Sequence, residues 1–197
     1  MHAYRKEAGR RLGRENPVEA DMVVGVPESS LSAAMGYAEE SGLPYEMGLI
    51  KHKYVGRTFI EPVQSMRELG VKMKLSPVYS IVKGKRIILV DDSIVRGTTC
   101  LKIVRLLREA GATEVHVRIA SPMMRFTCHY GVDTSTPEEL LCSHRTLEEA
   151  CEAIGADSLG YLSPESTRAS AFGCADPCQA CFTGEYPTLL YDQEIDE

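Results

Sequence analysis

Two adjacent acids followed by a loop of small residues form the part of this chain best suited to chemistry. Asp91 and Asp92 come directly after the aliphatic run at 87–90, and a Ser/Gly/Thr-rich stretch follows at 93–99. A helical pattern then begins at Leu101. Loop N–H groups and the positive end of a helix bind phosphate, whereas paired carboxylates suit a polyhydroxyl group or a hydrated Mg²⁺. The sequence therefore predicts a site for a phosphorylated sugar.

We call residues 93–99 the phosphate loop. Acids after a strand also occur as ordinary helix N-caps, and Ser/Gly/Thr stretches as ordinary turns, so each half of the pattern has a purely structural explanation. The complete string from Ile87 to Thr99 is more specific, and it resembles the signature of the type I phosphoribosyltransferases. The predicted substrate-binding residues of this string are Asp91, Asp92, Ser93, Ile94, Val95, Arg96, Gly97, Thr98 and Thr99.

A second candidate is the pair Ser29 and Ser30, which follows a predicted strand at 22–26 and precedes a predicted helix at 32–40. Taken by itself, such a pair is most simply a helix N-cap. In the company of the acid pair it resembles the pyrophosphate loop of the same superfamily. That resemblance adds Ser29 and Ser30 to the substrate-binding candidates, and it makes Ser29 a Mg²⁺-site candidate together with the two acids.

A basic segment at 51–60 is the third candidate, and we call it the flap. Cationic side chains surround an aromatic residue and a glycine in this segment. A solvated basic loop is the simple explanation. The functional one is a mobile lid over a pyrophosphate leaving group, whose growing negative charge needs cations aimed at it. We expect Lys53, Tyr54 and Arg57 to have catalytic roles there.

The elements around these segments predict an α/β fold. Strands at 22–26, 87–90 and 115–120 alternate with helical patterns, which is typical of a doubly wound, mostly parallel sheet with its ligand site at the carboxyl ends of the strands. Further patterns predict a helix at 3–14 and the start of a strand at Leu49. We expect a single domain over residues 1–197, closed by a turn-rich, cysteine-bearing tail from about residue 163.

Composition narrows the functional class. The chain has 197 residues and a formal net charge of -6, which argues against a nucleic-acid surface. No apolar run approaches the roughly 20 residues of a membrane span, and no signal-peptide pattern opens the chain. We therefore expect a cytoplasmic protein that binds neither DNA nor membrane. Seven cysteines without a secretion signal do not indicate a disulfide framework.

Four motifs in order make the resemblance narrow: Val-Pro-Glu-Ser-Ser at 26–30, Tyr-Val-Gly-Arg-Thr-Phe-Ile at 54–60, the string at 90–99, and Cys-Phe-Thr-Gly-Glu-Tyr-Pro at 181–187. The set resembles the phosphoribosyl half of the glutamine phosphoribosylpyrophosphate amidotransferases, essentially from the first residue to Tyr191. The resemblance implies a type I phosphoribosyltransferase fold with a flexible flap. It also implies transfer of the phosphoribosyl group of 5-phosphoribosyl-1-pyrophosphate (PRPP) to ammonia, the first step of de novo purine biosynthesis.

The late cysteines have several interpretations. Cys178 and Cys181 have a spacing that suits zinc, redox or cluster chemistry. The resemblance implies a [4Fe-4S] cluster with Cys128, Cys178 and Cys181 as ligands, and Cys174 as a substitute. A cluster of this type needs four thiolates, and the family's fourth ligand lies upstream of the segment that matches Met1. We therefore expect this chain to bind the cluster weakly or not at all.

The resemblance also bears on partners. The family's glutaminase half uses an N-terminal cysteine, whereas this chain begins Met1-His2, so we expect ammonia from solution or from a separate subunit. Family members form homo-oligomers and are inhibited by purine nucleotides. Three alternatives stay open: a PRPP- or nucleotide-binding regulator of the same fold, a salvage phosphoribosyltransferase acting on a free base, and a catalytically incomplete fragment.

Overall fold

The computed structural model describes residues 1–52, 75–132, 134, 136–173 and 177–188. The first half of the chain contains the elements on either side of Ser29 and Ser30 and the strand that leads into the flap. These elements are α1 (His2–Glu15), β1 (Met22–Gly25), α2 (Leu31–Ser41), β2 (Leu49–Lys51), β3 (Leu75–Pro77) and α3 (Tyr79–Val82).

The second half begins with the strand that carries the acid pair. Its elements are β4 (Arg86–Asp91), α4 (Thr98–Glu109), β5 (Glu114–Ile119), a single 3₁₀ turn (Pro137–Glu139), α5 (Leu147–Ile154), β6 (Ser158–Tyr161), α6 (Pro164–Ser170) and α7 (Ala180–Thr183). In the part of the chain that the structure describes, no helix is both long enough and apolar enough to cross a membrane.

Among the described residues, the central sheet has four parallel strands in the order β1-β4-β5-β6. Helices cover both of its faces, so the predicted doubly wound parallel sheet is confirmed. Strands β2 and β3 form a separate antiparallel pair, in which Leu49 lies opposite Pro77 and Lys51 opposite Leu75.

Strand β4 shows why the sheet needs both layers of helices. Ile87 and Leu89 pack into the core on the α4 and α5 side, whereas Ile88 and Val90 pack into the core on the α1 and α2 side. All four side chains are fully buried. A continuous aliphatic run of this kind is typical of a strand buried on both faces.

The predicted elements up to β5 begin and end within about three residues of the predicted positions, whereas β3 and α3 were not predicted. Helix α2 ends at Gly42, as predicted, with a φ of +71° that favours glycine. The sequence did not predict β6 or α5, although Thr146 and Glu149 form a capping box at the start of α5. The predicted turn-rich tail contains the short helices α6 and α7.

Helices α1 and α2 approach each other through glycines. A Cβ atom added to Gly9 would lie 1.9 Å from the carbonyl oxygen of Ala33, and one added to Gly36 would lie 1.9 Å from that of Lys6. Neither distance leaves room for a methyl group, because the opposing atoms belong to the backbone. Glycine is therefore required at both positions for the two helices to pack as they do.

We expect Gly9→Ala to lower the free energy of unfolding by about 2 kcal/mol, because α1 must move away from α2 to accept the methyl group. Gly13→Ala in the same helix is the matched control. Its new Cβ would meet mainly the side chain of Glu40, at 3.2 Å. The better helix propensity of alanine offsets that contact, so the change should stay within about 1 kcal/mol. Urea unfolding followed by circular dichroism measures both, and equal effects would contradict the close-packing argument.

Candidate active site

A cavity of about 340 Å³ opens at the carboxyl ends of β1 and β4. Its wall consists of the continuous stretch 91–100 together with Val26 and Ser29. Because the two strands are parallel, with Gly25 beside Val90, the residues that follow them leave the sheet at the same edge. The structure thus brings together the acid pair, the phosphate loop and one of the two candidate serines.

The phosphate loop turns into α4 at Gly97, whose φ of +80° lies in the left-handed region that favours glycine. Thr98 and Thr99 open the helix and line the cavity with exposed side chains. The first N–H groups of a helix have no partner within the helix, and they carry the positive end of its dipole. This end of α4 therefore suits an anion.

A segment outside the loop holds the loop in place, and the sequence did not predict it. The Arg96 guanidinium donates two hydrogen bonds to Glu139 of the 3₁₀ turn, one of them at 2.9 Å. The N–H of Leu141 donates to the carbonyl of Val95 at 2.7 Å. The side chain of Leu141 also lies close to Gly97. Arg96 was predicted to bind substrate, and its side chain is paired with Glu139 at the protein surface.

The two acids have different surroundings. Asp91 is 8% exposed, whereas Asp92 is half-buried. Oδ1 of Asp91 accepts the N–H of Asp92 at 2.9 Å and lies 3.1 Å from the Ser30 hydroxyl. Burial raises the pKa of the Asp91 carboxyl to about 7, and the negative charge of Asp92 contributes to the rise. The pair therefore offers one carboxyl in the cavity floor and one nearer to solvent.

Ser29 and Ser30 also differ in whether they are exposed to the cavity. Ser29 lines the cavity, and its backbone carbonyl accepts a 2.6 Å hydrogen bond from Arg5 of α1. Ser30 was predicted to bind substrate beside it, but its side chain is fully buried and does not line the cavity. Its hydroxyl contacts the Val26 carbonyl and the Asp91 carboxyl at the ends of β1 and β4, and these contacts keep the side chain in the interior.

A smaller cavity of about 200 Å³ adjoins the first one on the α1 side. Ser29, Asp92 and Ser93 line both cavities, and Tyr4 and Arg5 belong only to the smaller one. Helix α1 therefore contributes to the surroundings of the site, which the sequence did not predict.

Lys53, Tyr54 and Arg57 of the predicted flap lie outside the described residues. The structure describes the chain up to His52, whose Nε2 lies 2.9 Å from the Ser76 hydroxyl. His52 directly follows β2, and Leu75 begins β3 beside it.

The three predicted cluster ligands lie in one region of the molecule. Burial raises the pKa of the Cys181 thiol, and the negative charges of Cys128 and Cys178 raise it further. The carbonyl of Cys181 accepts the N–H groups of Arg125 and Phe126, both at 3.1 Å. These contacts join the C-terminal cysteine segment to the segment that carries Cys128.

Within residues 1–52, 75–132, 134, 136–173 and 177–188, no three His, Cys, Asp or Glu side chains form a group that could hold a single metal ion. Cys100 and Cys142 are buried, and Cys151 is half-buried. Burial raises the pKa of all three thiols. Cys174 lies outside the described residues.

Residues 8–125 match the family described as the phosphoribosyl transferase domain. Because this match covers more than half of the chain and includes the acid pair and the phosphate loop, the chain belongs to the phosphoribosyl transferase domain family.

The particular relatives are amidophosphoribosyltransferases. The chain is 55% identical to that of Bacillus subtilis over 99% of its own length, and 57% identical to that of Staphylococcus aureus over 98%. A solved structure of the B. subtilis glutamine PRPP amidotransferase, complexed with ADP and GMP, superposes with a TM-score of 0.88 and 57% identity. That superposition covers 96% of this chain. The resemblance predicted from the four motifs and the predicted type I fold are both confirmed.

The shared region is only part of each relative. The chain spans 42% of the B. subtilis sequence, 40% of the S. aureus sequence and 43% of the solved chain. The similarity is to their C-terminal phosphoribosyltransferase part. The activity of the complete relatives therefore reaches this chain as a proposal.

The raised pKa of Asp91 gives a stability prediction with a definite sign. The folded chain keeps a proton on this carboxyl up to about pH 7, whereas the unfolded chain releases it near pH 4. The folded state thus binds more protons between these values, so its stability falls as the pH rises through them. The Asp91→Asn side chain cannot titrate. We therefore expect the free energy of unfolding of this variant, relative to that of the wild type, to be higher at about pH 8 than at about pH 5 by about 2 kcal/mol.

Urea unfolding at both pH values, with a chelator and without substrate, measures this gain. Asp21→Asn is the control, because its hydrogen bonds with Arg86 lower the pKa of Asp21 instead. The stability that Asp21 contributes is lost only in acid, so its difference from the wild type should stay constant over this range. A constant difference for Asp91→Asn as well would show that Asp91 is ionised throughout.

Proposed function

We propose that this chain transfers the phosphoribosyl group of PRPP to ammonia, giving 5-phosphoribosylamine and pyrophosphate. The observation that carries the proposal is the single cavity in which the phosphate loop, the acid pair and Ser29 meet. Its two ends have opposite electrostatic character, with helix N–H groups at one and carboxylates at the other. A phosphorylated sugar with free hydroxyls matches both ends.

The phosphate loop would bind the 5-phosphate. Its N–H groups and the hydroxyls of Thr98 and Thr99 are donors, and α4 begins where the phosphate would sit. Glu139 has a supporting role, because it occupies the guanidinium of Arg96 and fixes the loop from outside. Phosphate recognition then depends on backbone groups whose positions the fold sets.

The acid pair would hold the ribose hydroxyls, directly or through Mg²⁺. Oxygen ligands from one or two carboxylates, completed by water and substrate phosphate, are typical of Mg²⁺ sites. Asp91, Asp92 and Ser29 provide such oxygens around the cavity. A bound Mg²⁺ would neutralise charge on the pyrophosphate.

The chemical step needs little more than positioning and charge. The nitrogen lone pair of ammonia forms a bond to C1 of the ribose while the bond from C1 to pyrophosphate breaks and the electron pair leaves with pyrophosphate. The new ammonium group then releases a proton to solvent. Because C1 becomes cation-like, nearby carboxylates stabilise it. We assign Lys53, Tyr54 and Arg57 to the leaving pyrophosphate and to the exclusion of water.

The remaining assignments are based on the similarity of this chain to its relatives. We propose the cytoplasm as the location, purine nucleotides as inhibitors, a homo-oligomeric assembly, and a glutaminase domain or subunit as the source of ammonia. The B. subtilis relative complexed with ADP and GMP supports a nucleotide response. The first step of purine biosynthesis is the corresponding cellular role.

Cys128, Cys178 and Cys181 are the proposed ligands of a [4Fe-4S] cluster. The support for the assignment is that Cys128 and Cys178 both raise the pKa of the Cys181 thiol, although the described side chains do not form a group of three around a single metal ion. A cluster there would connect the C-terminal segment to residues 125–128. The mechanism of phosphoribosyl transfer does not use it.

The decisive test is pyrophosphate release from PRPP in the presence of Mg²⁺, with ammonium chloride or glutamine as the nitrogen donor. We expect turnover with ammonium and none with glutamine. Asp92→Asn should lower kcat/KM for PRPP by about 100-fold, because it removes a charge that faces the cation-like sugar. Its unfolding midpoint should stay close to that of the wild type.

Other outcomes would select the alternatives. Tight PRPP binding without turnover would favour a regulator or an incomplete enzyme. Turnover with a free purine or pyrimidine in place of ammonium would favour a salvage enzyme. Full activity of Asp92→Asn would remove Asp92 from the mechanism.

Reconstitution with iron and sulfide under anaerobic conditions tests the cluster. We expect the wild type to retain less than one cluster per chain after gel filtration, as predicted from the family's ligand pattern. Whatever iron is retained should be lost in Cys181→Ser and kept in Cys151→Ser, whose thiol donates a hydrogen bond to the Ala156 carbonyl. A stoichiometric cluster spectrum would contradict weak binding, and equal retention by the two variants would contradict the ligand assignment.

A further inference from the structure

Ser30 is a buried polar residue that the mechanism above does not use. Its side chain is fully buried, directly below the cavity that Ser29 lines. The hydroxyl lies 2.6 Å from the carbonyl oxygen of Val26 and 3.1 Å from Oδ1 of Asp91. It therefore joins the end of β1 to the acid at the end of β4.

Helix capping does not explain this arrangement. Ser30 occupies the N-cap position of α2, but its side chain makes no capping hydrogen bond. The backbone of Ser30 supports the turn, since its N–H donates to Val26 and its carbonyl accepts from Ala34. The one hydroxyl proton is shared between the Val26 carbonyl oxygen at 2.6 Å and Oδ1 of Asp91 at 3.1 Å, so the contact with Asp91 is the longer of the two.

Two hydrogen bonds reach the same carboxyl oxygen of Asp91. Oδ1 meets the Ser30 hydroxyl and also accepts the N–H of Asp92 at 2.9 Å. Both contacts engage Oδ1. The N–H and the side chain of Asp92 also bond to the Asp91 carboxyl, but they belong to its own chain segment and cannot fix the carboxyl relative to β1.

We propose that Ser30 is a positioning residue, which fixes the Asp91 carboxyl for its ligand and does not itself touch substrate. The proposal rests on the proposed phosphoribosyl transfer. Partners that orient a ligand-binding carboxylate commonly change affinity or activity by 10- to 100-fold when they are removed. The wall of the cavity thus has a second layer, in which one serine of the pair faces the substrate and the other faces the acid.

Ser30→Ala tests this role, with Ser170→Ala as the matched control. Ser170 is also fully buried, and its hydroxyl also donates to the carbonyl four residues earlier, Ser166, at 2.7 Å. It lies in α6 and has no carboxylate partner among its described contacts. The two variants remove the same buried group and differ in the contact with Asp91.

We expect Ser30→Ala to raise the Kd for PRPP, measured with Mg²⁺ by calorimetry, and to lower kcat/KM for PRPP, each by about 10-fold. The KM for ammonium should not change, because Asp91 lies at the sugar. Ser170→Ala should leave all three values within about twofold of the wild type. Urea unfolding of both variants shows whether each is folded under the assay conditions.

A double-mutant cycle separates positioning from a general structural effect. In the Asp91→Asn background, Ser30→Ala should change the Kd for PRPP by less than about twofold, because the carboxylate that it orients is gone. An unchanged effect of Ser30→Ala in that background would overturn the proposal, and so would equal effects of Ser30→Ala and Ser170→Ala. If the wild type neither binds PRPP nor releases pyrophosphate, the proposed function itself fails, and the role of Ser30 fails with it.

Discussion

The burial of β4 on both faces is the constraint on which the site depends. Its four aliphatic residues are fully buried, so the strand cannot shift along its axis without exposing or overpacking a core. Asp91 is the last residue of this strand and is itself nearly buried, so its position is fixed by the same packing. The phosphate loop starts from that fixed point. A carboxyl that costs free energy to bury is thereby held where the ligand must arrive.

The two ends of α1 are joined to the loop of Ser29, to α2 and to β5. Near its N-terminus, Arg5 holds the loop of Ser29. Beyond its C-terminus, the carbonyl of Asn16 accepts hydrogen bonds from the Tyr37 hydroxyl at 2.7 Å and from Arg118 at 3.0 Å. Arg118 is 5% exposed, and burial lowers the pKa of its guanidinium. Helix α1 thus lies with α2 on one face of the sheet, and the glycine contacts set the distance between the two helices.

The sequence predicted the elements whose signals are local. The aliphatic run before Asp91 and the glycine after α2 each determine structure within a few residues, and both appear as expected. The direction of the Ser30 side chain depends on the neighbouring strand, which no local pattern describes. The pairing of Glu139 with Arg96 joins residues far apart in the chain. Helix α5 did have a local signal, because the capping box that begins at Thr146 is typical of a helix N-terminus.

The β2–β3 pair has a consequence for the two chain positions that it joins. Lys51 and Leu75 lie opposite each other in this antiparallel pair, so strand pairing holds their Cα atoms within about 6 Å of each other. The conformational entropy lost in bringing these two residues together is offset by the ladder hydrogen bonds and by the burial of Leu49. The position of Leu75 is thus determined by residues 49–51, far earlier in the chain.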